Sequence, residues 1–244
     1  MSLEVIPISV SHDINEDDKL VDLVSKSNVK LEDNDILVIS QKIVSKQEGR
    51  IIQLSSVIPS LLSTGIASEY EKDPKLVEII LSESKRIVRM ENGIIIVETK
   101  NGFICANAGV DESNVPNGLA TLLPLDPDKS AQKLREEISK QSGKNIAVLI
   151  SDTFGRPLRM GQTDSAIGVS GINSIIDYEG KKDTFGKTLR VTAIAIADEI
   201  CSAAELVMGK SLGNPAAIIR NYKFTSSEDS AKSLIRSKEE DLFR

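Results

Sequence analysis

Apolar positions along the chain fall into short runs, broken every few residues by polar or turn-forming groups. β-Branched and aliphatic residues crowd into Val5–Val10, Asp35–Ser40, Arg50–Leu54, Gly93–Thr99, Gly102–Ala106, Asn145–Ser151 and Arg190–Ala197, which predicts strands. Ala216–Arg220 adds a late one. Apolar residues three or four apart predict helices over Asp17–Ser27, Ser60–Tyr70, Pro74–Ser84, Pro127–Ser142 and Asp198–Met208. Asp126-Pro127-Asp128 carries a helix-start signature, with Pro in the first turn and acid at the positive end of the dipole. Strands and helices intermix without strict βαβ alternation, so the expected class is mixed α/β or α+β. The charge-rich stretch Thr225–Arg244, with Leu234, Ile235, Leu242 and Phe243 as sparse anchors, predicts a C-terminal helix packed weakly on the body or on a partner subunit.

Composition narrows the function classes. Thirty Lys and Arg against 36 Asp and Glu leave a net charge of −6 over 244 residues, the opposite of the basic footprint of a nucleic-acid binder. A 3% aromatic content without Trp disfavours a base-stacking single-strand binder. Cys105 and Cys201 cannot form a disulfide framework; both sit in apolar stretches and read as buried free thiols of a reducing cytoplasm. No apolar run approaches the roughly 20 residues of a membrane helix, and the first residues show no signal-peptide pattern. The expectation is a cytoplasmic protein with neither a nucleic-acid nor a membrane partner.

Three polar clusters follow predicted strands. Ser151-Asp152-Thr153-Phe154-Gly155-Arg156-Pro157, continuing to Arg159 and Gln162, joins a hard oxygen ligand to forked cations. Asp152 suits Mg²⁺ or Mn²⁺, Thr153 offers a further oxygen, and Arg156 and Arg159 offer donors for phosphate or carboxylate. The bland alternative is a turn with a surface Asp–Arg pair. Asn107-Ala108-Gly109-Val110-Asp111-Glu112-Ser113-Asn114 supplies a second carboxylate in Asp111 and a neutral donor and acceptor in Asn114, or else is a solvated loop. In Ser40-Gln41-Lys42-Ile43-Val44-Ser45-Lys46, Lys42 and Lys46 share a face if the segment is helical, and otherwise lie in an exposed basic turn. Two carboxylate clusters at strand ends favour a shared metal–phosphate site.

Other patterns carry less. Ala204–Ser211 fits a loose Walker A spacing, but its interior reads as a helix end with Gly209 as C-cap. Gly168-Val169-Ser170-Gly171 lacks the third glycine of a dinucleotide fingerprint. His12 is the only histidine, which disfavours zinc and a His-dependent triad.

In this order, SQKIVSKQEGR, GFICANAGVDESNVP, LLPLDPDKSAQKLR, ISDTFGRPLRMGQTDSAIGVSGI, DYEGKKDTFGKTLRVTAIAIADEICSAAELVMGK and PAAIIRNY resemble the coenzyme F420-0:L-glutamate ligase family over roughly residues 35 to 222. The resemblance implies a two-lobed ligase domain over residues 1–222 that forms an intertwined homodimer, followed by the helical tail at 223–244. It implies addition of L-glutamate to the carboxylate of coenzyme F420-0 with GTP through an acyl phosphate, and a second, γ-linked glutamate after it. Carried over, the metal ligands are Asp111, Asp152 and Thr153, for Mg²⁺ or Mn²⁺, with K⁺ as a further candidate ion. Guanine-nucleotide contacts fall on Ser11, His12, Asp13, Ile14, Ser40, Gln41, Lys46, Asn114, Met208, Gly209, Lys210 and Ser211. Arg156, Arg159 and Lys210 are the expected catalytic cations. Two positions depart from the family pattern. Lys210 stands where some members place a metal-binding Gln, and an ammonium cannot ligate a cation. Leu158 stands where an aromatic is often found. Two rival readings are a same-fold ligase for another carboxylate acceptor and a silent nucleotide-binding subunit.

Overall fold

The computed structural model describes residues 2–10 and 12–242. In chain order the elements are β1 (Glu4–Ile8), α1 (Leu20–Ser25), β2 (Ile36–Ser40), α2 (Gln41–Gln47), β3 (Ile51–Gln53), α3 (Leu61–Tyr70), α4 (Pro74–Ser82), β4 (Ser84–Glu91), β5 (Ile94–Thr99), β6 (Ile104–Ala106), β7 (Leu119–Thr121), α5 (Pro127–Ser142), β8 (Ala147–Gly155), β9 (Gln162–Ser170), β10 (Ile176–Asp177), β11 (Ala193–Ile194), α6 (Ile196–Met208) and β12 (Ala216–Arg220). The class is mixed α/β, as the intermixed pattern predicts.

Five strands make the central sheet in the order β1-β12-β2-β8-β9. Only β2 and β8 are parallel, with Ser40 opposite Ser151 at their carboxyl ends; the other pairs are antiparallel. Each of Ile36, Leu37, Val38 and Ile39 is at most 1% exposed, so β2 is covered on both faces. A parallel pair needs a long crossover. Here it is the whole of residues 41–146, and that crossover builds a second hydrophobic cluster of its own. Val77, Ile80, Ile95, Val97 and Ala120 centre it, drawn from α4, the sheet β4-β5-β6 and the pair β3-β7. In β5 every second residue (Ile95, Val97, Thr99) is buried, the period of a strand with one face on a core.

Helix α5 starts where its signature predicts. The Asp126 carboxylate accepts from Lys129 N–H, Pro127 holds the first turn, and left-handed Gly143 ends the helix. Its buried stripe of Ala131, Leu134 and Ile138 packs on β8 and β9. The approach is close enough that a Cβ at Gly168 of β9 would stand 2.4 Å from the Pro127 carbonyl oxygen. That glycine serves packing, not a phosphate loop.

Several expectations are corrected. β4, β7 and β9 are strands that the run pattern does not announce, because β4 and β9 are rich in polar or small residues and β7 is only three residues long. Arg190–Ala197 pairs only at Ala193 and Ile194 before α6 takes over at Ile196. Asp17–Ser27 shortens to Leu20–Ser25, whose N-cap Lys19 offers no side-chain acceptor. The predicted C-terminal helix is absent among the described residues: 223–242 hold one 3₁₀ turn, Ala231–Leu234, and Phe243 and Arg244 lie outside them. The tail's polar groups are instead spent on the body. Asp128 accepts from Ala231 N–H, Asp229 accepts from Ser174 N–H, and Ser174 Oγ donates to the Ser230 carbonyl. Ala231 is fully buried, so this strap is fastened rather than weakly packed.

Candidate active site

At the carboxyl end of β2 the chain turns directly into α2, so the third polar cluster is helical. Lys42 and Lys46, one turn apart, reach the same cleft. Lys42 Nζ donates to Asp111 Oδ2 at 2.5 Å, to Ser113 Oγ at 2.7 Å and to the Ser113 carbonyl at 2.9 Å. Lys46 is only 3% exposed and its Nζ donates to Asp13 Oδ1 at 2.6 Å. Gln41 points inward. Its Nε2 donates to Ser45 Oγ and to the Leu122 carbonyl, tying α2 to the second cluster.

Asp111 arrives from the opposite side. After β6 three successive residues, Asn107, Ala108 and Gly109, take positive φ of 53, 54 and 70°, a tight turn that re-aims the chain. A Cβ at Gly109 would meet Leu123 at 2.6 Å, so this position needs glycine for space as well as for its backbone. Asp111 then bridges Thr121 through backbone hydrogen bonds in both directions. Burial would raise its carboxyl, but Lys42 and the N–H and hydroxyl of Ser113 hold it below the usual carboxylate range.

The third wall is the hairpin β8–β9, which runs past the end of β2. Its register slips between Ile150 and Ser151, where Ile167 is the extra residue, a bulge of the kind that re-aims side chains beside a site. Beyond it Asp164, 4% exposed, accepts from Thr153 Oγ1 at 2.7 Å, Lys210 Nζ at 2.9 Å and Ser151 Oγ at 3.2 Å. Lys210 Nζ also donates to Thr153 Oγ1 at 2.5 Å. Lys210 follows Gly209, the residue that ends α6, as the helix-end reading of Ala204–Ser211 requires.

These walls enclose a cleft of about 770 Å³. Inside it Asp152 carries the most displaced carboxyl. Burial first, and then the charges of Asp164 and Asp111, push it up to about 7 against the pull of the Thr153 N–H and of Lys210. Asp111, Asp152 and Asp164 thus share the cleft, with Lys42 paired to Asp111 and Lys210 to Asp164.

Comparison with known proteins places this arrangement. The family model for F420-0:gamma-glutamyl ligase matches residues 10–221. The coenzyme F420:L-glutamate ligase of Methanocaldococcus jannaschii is 48% identical over 88% of this chain and 86% of its own length. That of Methanothermobacter thermautotrophicus is 46% identical over 92% and 90%, and that of Methanopyrus kandleri 41% over 100% and 98%. The chain belongs to the F420-0:gamma-glutamyl ligase family. It is a ligase.

In this ligase the predicted residues His12, Asp13, Ile14, Ser40, Gln41, Lys46, Asp111, Asn114, Asp152, Thr153, Met208, Gly209, Lys210 and Ser211 all line the one cleft. Ser11 lies outside the described residues. The hairpin arginines lie elsewhere: neither lines the cleft. Arg156 turns back at the hairpin tip onto the carbonyls of Met160 and Gly161, and Arg159 is exposed beside it. A tight tip satisfies its own carbonyls first, and its arginine is the donor within reach. Asp164 is not announced by the run pattern, because Thr163-Asp164-Ser165 is a polar run followed by Ala166-Ile167 rather than the alternation of a half-buried strand. Ser113 also escaped it.

The donors fit a divalent cation in part. Among the described residues no three His, Cys, Asp or Glu side chains converge to hold one unaided. Asp111 and Asp152, facing one cleft with repelling charges, supply the one or two carboxylates with which Mg²⁺ is usually held, the remaining positions going to water and substrate phosphate oxygens. Thr153 Oγ1 is already engaged by Asp164 and Lys210.

Proposed function

We propose that this ligase joins L-glutamate to the carboxylate of coenzyme F420-0, and then a second glutamate through a γ-linkage, with GTP as the energy source. The observation that carries the reading is the convergence of Asp111, Asp152, Lys42, Lys46 and Lys210 on one cleft at the carboxyl ends of the parallel pair, the place where open α/β sheets hold phosphorylated ligands. The named activities of the relatives supply glutamate and the coenzyme as substrates.

The γ-phosphoryl group of GTP passes to a carboxylate oxygen of the acceptor, giving an acyl phosphate and GDP. The amine of glutamate attacks the acyl carbon, the amide forms, inorganic phosphate leaves, and the proton goes to water or to the departing phosphate. Lys46 and Lys210 neutralise phosphate charge as it shifts. Asp111 and Asp152 would hold Mg²⁺ or Mn²⁺, which would supply positive charge beside the phosphates; K⁺ is a further ion to test. Ile14, Ser40, Asn114 and the Met208–Ser211 turn shape the nucleotide side of the cleft. The two hydrophobic clusters are read as two lobes, with the cleft where they meet. Exposed Leu158 and Met160 at the hairpin tip and Phe185 and Val191 in the β10–β11 arm support a homodimer. Buried free Cys105, its thiol pushed up to about 12 by burial and by Asp152, fits a reducing cytoplasm.

The test is a mass-spectrometric end-point assay with GTP, Mn²⁺, L-glutamate and F420-0, run beside ATP and metal-free controls. A gain of one or two glutamyl units that needs both GTP and metal is expected. GTP bound without any mass gain would move the reading to another carboxylate acceptor. Light scattering tests the dimer.

A further inference from the structure

Lys42 takes no part in the ligand set described above, yet it is the most completely engaged cation in the cleft. Its three ammonium protons are matched by three acceptors: Asp111 Oδ2, Ser113 Oγ and the Ser113 carbonyl. Ser113 Oγ in turn donates to Asp111 Oδ2, and Ser113 N–H to Asp111 Oδ1. The carboxylate proposed to hold a divalent ion therefore already has a fixed monovalent counter-ion on one oxygen. An ammonium and a divalent cation on the same carboxylate repel at close range in a partly dry cleft. The Lys42 side chain is mostly shielded, at 17% exposure, and its ammonium lines the cleft. Lys46, one turn further along the same helix, lines the same cleft.

We infer that Lys42 is a positioning residue that competes with the divalent cation for Asp111 and, once displaced, turns its ammonium to the nucleotide phosphates. The inference rests on the proposed reading of the cleft as a metal–phosphate site. It makes Lys42 the link between the two ligands: the ion enters weakly alone, because it must expel an ammonium, and well with phosphate present, because phosphate gives that ammonium a new partner. The device would make cation and nucleotide bind together rather than one after the other.

The experiment measures Mn²⁺ affinity of the full chain by calorimetry, without nucleotide and then with a non-hydrolysable GTP analogue. It compares wild type with Lys42→Met and Lys42→Gln, each checked for folding by its melting curve. The expected result is that both neutral variants bind Mn²⁺ alone about tenfold more tightly than wild type and lose most of the nucleotide's enhancement. A residue that merely supported the structure would weaken metal binding when removed, so the gain in affinity is diagnostic. Unchanged or weaker Mn²⁺ affinity in both folded variants, while wild type binds Mn²⁺ and nucleotide together, overturns the role of Lys42 and leaves the site standing. Wild type that binds neither Mn²⁺ nor nucleotide overturns the site reading and this inference with it. Lys42→Gln is the second arm should Lys42→Met fail to fold.

Discussion

Two levels of the β8–β9 hairpin, its tip and the base just below the tip, both carry polar residues and behave differently. At its base Ser151, Thr153 and Asp164 form a closed hydrogen-bond set with Lys210, roofed by α6 and seated on the sheet. At its tip Pro157, Leu158, Arg159 and Met160 are exposed and Arg156 is half-buried, with Leu158 in a left-handed conformation. By residue type alone the tip, with two arginines, looks the richer in chemistry. The base carries the candidate site, because there the neighbouring strands and α6 bury Ser151 and Asp164, while at the tip water screens each charge. Burial beside other charges, rather than density of polar residues, separates a candidate site from a loop.

The sharpest way to break this contrast is Asp152→Asn. Losing an outer partner of a metal site costs about 10–100-fold, so losing a direct ligand should lower turnover by more than about a hundredfold with the melting curve retained. Turnover near wild type at saturating Mn²⁺ would move the metal away from the hairpin base. Next is proton competition. The Asp152 carboxyl is raised from 3.8 to about 7 in the folded protein, so without a divalent ion its protonated form stabilises the fold at low pH, and that contribution is lost as pH rises from 3.8 to about 7. A divalent ion replaces the proton above that window. Its affinity should fall about tenfold for each pH unit below about 7, and the melting-temperature gain from Mn²⁺ should be larger near about pH 8 than near about pH 5.5. A gain independent of pH would remove Asp152 from the ligand set.

Asp164→Ala is a smaller perturbation. It removes the acceptor of the Ser151 and Thr153 hydroxyls and the buried partner of Lys210, at a cost of about 2 kcal/mol, or a fall of about 4–8 °C in melting temperature. Calorimetric melting that shows no fall would mean that the base set is replaceable by water. The smallest effect belongs to the tip: Arg159→Ala should change stability by less than about 0.5 kcal/mol and leave Mn²⁺ affinity within about twofold of wild type. Any larger loss in a binding titration would show that the tip folds over the cleft, and the contrast between base and tip would fail.

Much of this protein was legible in the residues themselves. Local rules determined α5 down to its cap, since Asp126, Pro127 and Gly143 act on their own backbone neighbours. They also determined the β2 and β8 runs, whose continuous burial shows as unbroken aliphatic sequence, and the end of α6 at Gly209, which removes the loose Walker pattern. The family was legible too, because long motifs in register carry far more information than any single spacing. Tertiary structure alone decided the rest. β9 is a strand because β8 and α5 flank it, although its small residues carry weak strand propensity, and Asp164 enters the cleft only through that pairing. The tail is a strap because Ser174 and Asp128 offer its backbone better partners than its own turns would. Lys42 meets Asp111 across 69 positions of chain, a contact no local pattern announces, since it exists only once the long crossover has folded into its own cluster and returned beside β2.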